Sequence, residues 1–169
     1  MARPATTLPP EMRVRDARDR YLAENGFDTR SYTAPKFGIT VFGRTWTFQN
    51  VSSRQRAIPL HDLHHVATGY GTSLEGEGEI SAFELRGGID SAVLWALKLG
   101  AIGYGLFTSP RRVAASFARA RGGATLYVRP LDYDAALAMT LGELRAHLGI
   151  QADGLADRPA TLHANAPRR

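Results

Sequence analysis

Hydrophobic and polar positions follow two different rhythms along this chain, and the change of rhythm marks out its elements. Met12, Val14, Ala17, Tyr21 and Leu22 recur at helical spacing, and Asn25-Gly26 supplies a stop. Gly38-Ile39-Thr40-Val41-Phe42 and Thr45-Trp46-Thr47-Phe48 are β-branched and aromatic instead, with Gly43-Arg44 between them, which predicts a hairpin. Helical spacing then resumes. Ser52 or Ser53 can cap a helix over residues 54–58, and Pro59 either kinks it or starts a second helix that runs to Thr68 and ends at Gly69. Thr72-Ser73-Leu74-Glu75 has the Thr-x-x-Glu form of a capping box, predicting a further helix that stops at Gly87-Gly88.

Residues 91–108 are the most apolar run, containing Val93, Leu94, Trp95, Leu97, Leu99, Ile102, Tyr104, Leu106 and Phe107. Its length reaches the lower limit for crossing a bilayer. Lys98 near its middle and glycines at 100, 103 and 105 predict a central core helix instead. Ser109-Pro110 opens a basic helix carrying Arg111, Arg112, Arg119 and Arg121, stopped by Gly122-Gly123. Short helices are expected over residues 131–139 and 140–148, the second beginning with the capping-box match Thr140-Leu141-Gly142-Glu143. The expected fold is therefore mainly α, a compact multi-helix bundle with a small β-hairpin near residues 38–49. Residues 1–10 read as a flexible lead-in, 11–150 as a single helical metal-binding domain, and 151–169 as a flexible tail.

Composition changes this picture little. A chain of 169 residues with 44% hydrophobic and 22% charged positions has the make-up of one soluble globular domain. There is no cysteine, which excludes disulfides, thiol chemistry and Cys-ligated zinc. The net charge of +5 is nearly all arginine, Lys36 and Lys98 being the only lysines. No nucleic-acid module with interleaved aromatics accompanies that charge, so nucleic acid is not an expected partner. The first residues lack the apolar core of a secretory signal, and the expected location is cytoplasmic. No Gly-x-Ser-x-Gly elbow or phosphate loop is present, which removes serine-hydrolase and nucleotide-binding readings.

The chemistry concentrates in His61-Asp62-Leu63-His64-His65-Val66-Ala67-Thr68-Gly69-Tyr70-Gly71, followed by Gly76-Glu77. His61 and His65, four apart, project from one helix face and can reach one ion. Glu77, from the following helix, closes the ligand set with a carboxylate. Asp62 is rotated by about 100° from His61, and either bends in as an oxygen ligand or serves as a proton acceptor. Imidazole nitrogen with carboxylate oxygen suits a divalent metal, zinc or iron. His64 lies off that face and is expected in the surrounding shell or exposed. Glu79 is expected in solvent. Glu84, two turns beyond Glu77, either accepts a hydrogen bond from a ligand histidine or pairs with an arginine, the pairing being preferred. Thr68 and Tyr70 either reach the site or pack at the turn.

His61-Asp62-x-x-His65, eleven intervening residues and Glu77, together with Val66-Ala67-Thr68-Gly69-Tyr70-Gly71 and Gly76-Glu77-x-x-Ile80-Ser81-Ala82-Phe83-Glu84, resemble the ubiquinone (coenzyme Q) biosynthesis "Coq-four" family. The resemblance is specific over residues 60–83 and extends in less detail to about residue 117. It implies a mostly helical fold with a metal, generally zinc, held by His61, Asp62, His65 and Glu77. It also implies a role in replacing the C1 carboxyl of a polyprenylated ring by hydroxyl, a channel for isoprenoid lipid, and association with membranes and with other biosynthetic enzymes. The chain is shorter than typical members, and its strand-like segment over residues 39–48 departs from the family pattern, so it reads as a divergent, bacterial-type relative.

The expected activity is that of a metal-dependent lyase or oxidative decarboxylase acting on a small apolar aromatic or prenylated molecule, with Asp62 as the catalytic proton acceptor. A divalent ion could polarise a carboxyl or carbonyl group, or lower the pKa of water towards about 7. Candidate pocket-lining residues are Val66, Trp95, Leu99, Ile102, Tyr104 and Leu106. The rival expectation is a metal-stabilised scaffold that binds lipid and organises partner enzymes at the inner membrane face without turnover. A third is an enzyme recruited to natural-product biosynthesis, and a metal-dependent hydrolase ranks below these.

Overall fold

The computed structural model describes residues 7–41, 43–90 and 92–156. Helix α1 (Val14–Asn25) ends at Gly26, whose left-handed backbone (φ 70°) lets its N–H reach back to the last turn. A four-residue helix, α2 (Arg30–Thr33), leads into strands β1 (Lys36–Val41) and β2 (Arg44–Gln49). The strands pair antiparallel, Lys36 opposite Gln49 and Val41 opposite Arg44, so the expected hairpin is present. Phe42, in its turn, lies outside the described residues. Trp46 and Phe48 are exposed along with the rest of β2, so this strand stands away from the core. Asn50 fastens its base, donating through its side-chain amide to the carbonyls of Tyr32 and Ala34.

Helix α3 (Ser52–Thr68) runs unbroken through Pro59. Of the two expected outcomes at this proline, the start of a second helix does not occur. Proline removes one backbone donor, and Ala57 and Leu63, buried on either side of it, anchor both halves of the helix. Nor do Ser52 and Ser53 act as side-chain caps, since Val51 occupies the cap position. Gly69, at φ 82°, closes the helix with its N–H on the His65 carbonyl. Helix α4 (Leu74–Gly87) begins one residue later than the Thr72 box implies. Ser73 Oγ accepts from the Gly76 N–H, while Thr72 bonds Asn25. After α5 (Ala92–Thr108) come α6 (Pro110–Arg119), α7 (Tyr133–Ala138) and α8 (Leu141–His147), the last opened by the expected Thr140/Glu143 capping box.

Two layers result. Helices α1, α3, α7 and α8 enclose the main core of Val14, Ala17, Leu63, Val66, Leu141 and Leu144. Helices α4, α5 and α6 pack together beside it, and a second cluster around Ile80, Phe83 and Leu155 joins α4 to the end of the described chain. The protein is mainly helical, as its sequence pattern predicts.

Two expectations about the fold need correction. α5 is not a central core helix, because Trp95, Leu99, Leu106 and Phe107 are all exposed, Phe107 at 89%. It packs on α4 and α6 and touches α3. Among the described residues, no helix is long and apolar enough to cross a membrane. The expected tail is in fact packed as far as Ala156: Leu155 is buried, and the N–H groups of Leu155 and Ala156 both reach the Thr68 carbonyl. Arg145, fully buried, donates to the carbonyls of Leu8, Ala67 and Ala152, which ties both ends of the described chain to α3. Residues 157–169 and 1–6 lie outside the described residues.

Candidate metal centre

Positions 61, 64 and 65 share the side of α3 that meets α4, because residues three and four apart are neighbours on a helix. His61 and His65 turn their Nε2 atoms towards each other at 3.2 Å. Their Nδ1 atoms decide what this contact means. His65 Nδ1 lies 3.0 Å from the Tyr70 carbonyl, which can only accept, so the ring proton is on Nδ1 and Nε2 is bare. His61 Nδ1 lies 2.8 Å from Glu84 Oε1 and 2.9 Å from Lys98 Nζ, so an acceptor and a donor meet it together. The two Nε2 atoms converge all the same, that of His65 with its lone pair bare, an arrangement that a proton or a cation between them stabilises.

Glu77 completes the group. Its Oε1 is 3.3 Å from His65 Nε2 and its Oε2 is 3.5 Å from His61 Nε2. Ligands held 2.0–2.1 Å from zinc in a tetrahedron lie roughly 3.3 Å apart, so these spacings match the edges of one coordination polyhedron. His61, His65 and Glu77 each offer a ligand atom within 4.8 Å of the others, and the cluster could hold a metal ion. Asp62 is not brought into this group. It is buried, its Oδ2 accepts from the Tyr32 hydroxyl at 2.7 Å, and Tyr21 bonds it as well. Burial pushes the Asp62 carboxyl above its ordinary range, against the opposing effect of the Tyr32 bond.

The second layer is more elaborate than the sequence suggests. Glu84 is fully buried, and its Oε1 accepts from His61, from His64 Nδ1 at 2.8 Å and from the Tyr127 hydroxyl at 3.0 Å. Its Oε2 lies 2.6 Å from Lys98 Nζ. The expected arginine partner of Glu84 is thus a lysine, drawn from the apolar run. Burial alone would raise the Glu84 carboxyl, but His61 and Lys98 outweigh it and hold the group well below its usual range. His64 is neither exposed nor a ligand. Its Nε2 accepts the Leu126 N–H at 2.9 Å and its Nδ1 serves Glu84, so no lone pair remains for a metal. This disposes of the alternative His61–His64–Glu84 grouping, which meets the distance condition alone. Glu79, expected in solvent, is buried and bound by Arg112 through both oxygens, at 3.1 and 2.7 Å. Thr68 packs at the turn with its hydroxyl on the His64 carbonyl, and Tyr70 serves the site through its backbone only.

Burial alone would lower the pKa of His61, yet the facing Glu84 and Glu77 carboxylates lift it to about 9. Without a cation, a proton fills the gap between the imidazoles at neutral pH, and metal must displace it. Apparent metal affinity is therefore expected to rise about tenfold per pH unit from neutrality and to level off near pH 9. Competition titration with a chromophoric chelator across that range checks this; a flat profile would show that no proton is displaced. Glu84→Gln is expected to weaken metal binding by about 10–100-fold, because an orienting acceptor behind a ligand histidine is lost.

Two cavities flank the cluster. One, of about 330 Å3, is lined by Asp62 and Glu77 and bounded by Tyr21, Phe27, Arg54 and Ile58. The other, of about 400 Å3, is lined by His65, Val66, Tyr70 and the Arg20–Glu24 turn of α1. Tyr21 lines both, its ring stacked on His65 at 5.4 Å. Of the residues expected to line a pocket, Val66 does so, while Trp95, Leu99 and Leu106 face outwards from α5. Tyr21, Tyr32, Lys98 and Tyr127 were not among the expected site residues. Lys98 alone gave a signal, as the one charge inside an apolar run. Compared with family models, curated proteins and solved structures, the chain finds no match.

Proposed function

We propose that this chain is a metal-dependent enzyme that binds one divalent ion, zinc before iron, through His61, His65 and Glu77. Its substrate in this reading is a small apolar aromatic or prenylated molecule of quinone- or isoprenoid-related biosynthesis. The single observation that carries the proposal is the pair of Nε2 atoms 3.2 Å apart, with a carboxylate across from both. A bound divalent ion would polarise a carboxyl or carbonyl group of the substrate. The chain's own residues prepare the rest. The Tyr70 carbonyl fixes the His65 tautomer, and Glu84 with Lys98 orients the His61 ring. Asp62, at the wall of the smaller cavity with a raised pKa, is placed to accept a proton from a bound molecule. The link to quinone chemistry rests on the resemblance of residues 60–83 to the Coq-four family, with carboxyl loss and ring hydroxylation as the reaction it suggests.

A second reading has its own observation in favour. The exposed Trp95, Leu99, Leu106 and Phe107 of α5, near the arginines of α6, suit a scaffold that rests on an anionic lipid surface and presents the metal site without turnover. Native mass spectrometry of the purified protein tests the proposal. One metal ion per chain is the expected result, and a protein that carries none and takes none up on titration would remove the basis of the enzyme reading. Co-purified lipid without product formation would favour the scaffold.

A further inference from the structure

Behind the metal cluster stands a charge that the metal reading does not use. Lys98 is buried on α5, inside the most apolar run of the chain, with its Nζ 2.6 Å from Glu84 Oε2. The same Nζ lies 2.9 Å from His61 Nδ1 and 3.5 Å from His61 Nε2. An ammonium is costly to bury, and Glu84 without it would leave His61 a stronger ligand. We propose that Lys98 is a positioning residue that keeps metal binding weak and reversible, by competing with Glu84 for His61 Nδ1 and by setting a positive charge beside that ligand ring. This concerns the regulation of the metal site proposed above and rests on that reading.

Two considerations lead there, and both have the same sign. The first is the bonding at His61 Nδ1. That nitrogen can donate to Glu84 Oε1 or accept from Lys98 Nζ, and one ring atom cannot do both at once. When neutral His61 donates to Glu84, its proton is on Nδ1 and Nε2 has a lone pair to offer an ion. When neutral His61 accepts from Lys98, its proton is on Nε2, which then donates to the bare Nε2 of His65, 3.2 Å away. Lys98, His61, His65 and the Tyr70 carbonyl form an unbroken series in that state, each donor facing an acceptor. Glu84 therefore opens the site and Lys98 closes it. The second consideration is charge. Glu84 is fully buried, and its Oε1 is held by His64 and by the Tyr127 hydroxyl, so its carboxylate has anchors besides Lys98. Lys98 offsets the negative charge that would otherwise favour an ion at His61. Little water is present there to screen the ammonium, and a divalent ion feels it twice as strongly as a single proton does.

The test is competition for zinc against a chromophoric chelator at one fixed pH. Lys98→Met is expected to bind zinc at least about tenfold more tightly than the wild type, because a cation leaves a poorly screened site. Lys98→Gln removes the charge but keeps a donor for Glu84 Oε2; it is expected to tighten binding as well, and it serves should Lys98→Met fail to fold. Lys98→Arg keeps the charge and is expected to stay within about threefold of the wild type. The visible spectra of the cobalt(II)-loaded wild type and neutral variants are expected to coincide, since His61, His65 and Glu77 remain the ligands. A lysine that merely props up the site would give the opposite sign, its loss weakening zinc as the loss of Glu84 does. Weaker or unchanged binding in the folded neutral variants, an equal gain in Lys98→Arg, or a changed cobalt spectrum would each overturn the proposal and leave the metal reading standing. A wild type that takes up no zinc at all would overturn both.

Discussion

Alanine at position 65 is expected to lower zinc affinity on the order of a thousandfold, taking a purified variant from one ion per chain to none detected by elemental analysis. His65 supplies one of three protein ligands, and its ring is already oriented by the Tyr70 carbonyl, so nothing nearby can replace its Nε2. His61→Ala is expected to behave the same way. The informative control is His64→Ala. That imidazole carries no lone pair towards the cluster, so zinc content should survive, but a fully buried ring bonded to Glu84 and to the Leu126 N–H disappears. A stability loss of about 2–4 kcal/mol is expected from the cavity and the orphaned backbone donor. Equal zinc loss in all three variants, measured on protein that remains folded by circular dichroism, would discredit the ligand assignment.

Gly76→Ala is expected to be the most damaging small substitution in the chain. A Cβ at this position would stand 2.1 Å from the Gly71 carbonyl oxygen and 2.7 Å from its carbon. Both are backbone atoms, so no rotamer change relieves the clash, and the first turn of α4 must move away from the turn after α3. Glu77 is the next residue and must move with it. A destabilisation of about 3 kcal/mol or more is expected, a fall in melting temperature of roughly 10 °C for a domain of this size, with weakened zinc binding in the surviving fold. Gly100→Ala and Gly103→Ala provide the contrast. Nothing lies within 4 Å of a Cβ at either position, both are within α5, and alanine there is expected to stabilise by about 0.5–1 kcal/mol. Thermal melts of the three variants side by side decide the matter: Gly76→Ala melting at the wild-type temperature would mean that the two segments are not in contact as described.

How far the sequence discloses this molecule depends on the range of the interaction involved. The hairpin, the glycine stops at Gly26 and Gly69 and the Thr140 capping box are local, and each is written in residues within a few positions of one another. The His61–His65 pairing is legible for the same reason, since one helical turn joins them. What surrounds the pair is not. Glu84, Lys98, Tyr127 and Tyr32 come from four different stretches, and only folding shows that Glu84 accepts from two histidines rather than from an arginine. Of the two places the sequence left open for His64, the surrounding shell is the one it takes, because position 64 is a neighbour of 61 on the same turn and both reach Glu84. Pro59 left both a kink and a new helix open, and only the burial of Ala57 and Leu63 on either side of it decides for one helix. Apolar residues on α5 looked like core because periodicity records hydrophobicity and not whether a partner exists to cover it.

The glycine contact between α4 and α5 reaches further than its two residues. A Cβ added to Gly78 would come within 3.1 Å of the Gly105 Cα, so these helices lie as near as their backbones permit. About two turns away on each helix stand Glu84 and Lys98, joined at 2.6 Å. The missing methyl groups thus act as a ruler that sets how far a lysine must stretch to neutralise the anion behind His61. Lineages that enlarge either glycine would have to exchange Lys98 for a longer reach, such as arginine, in the same step, so the three positions should drift together.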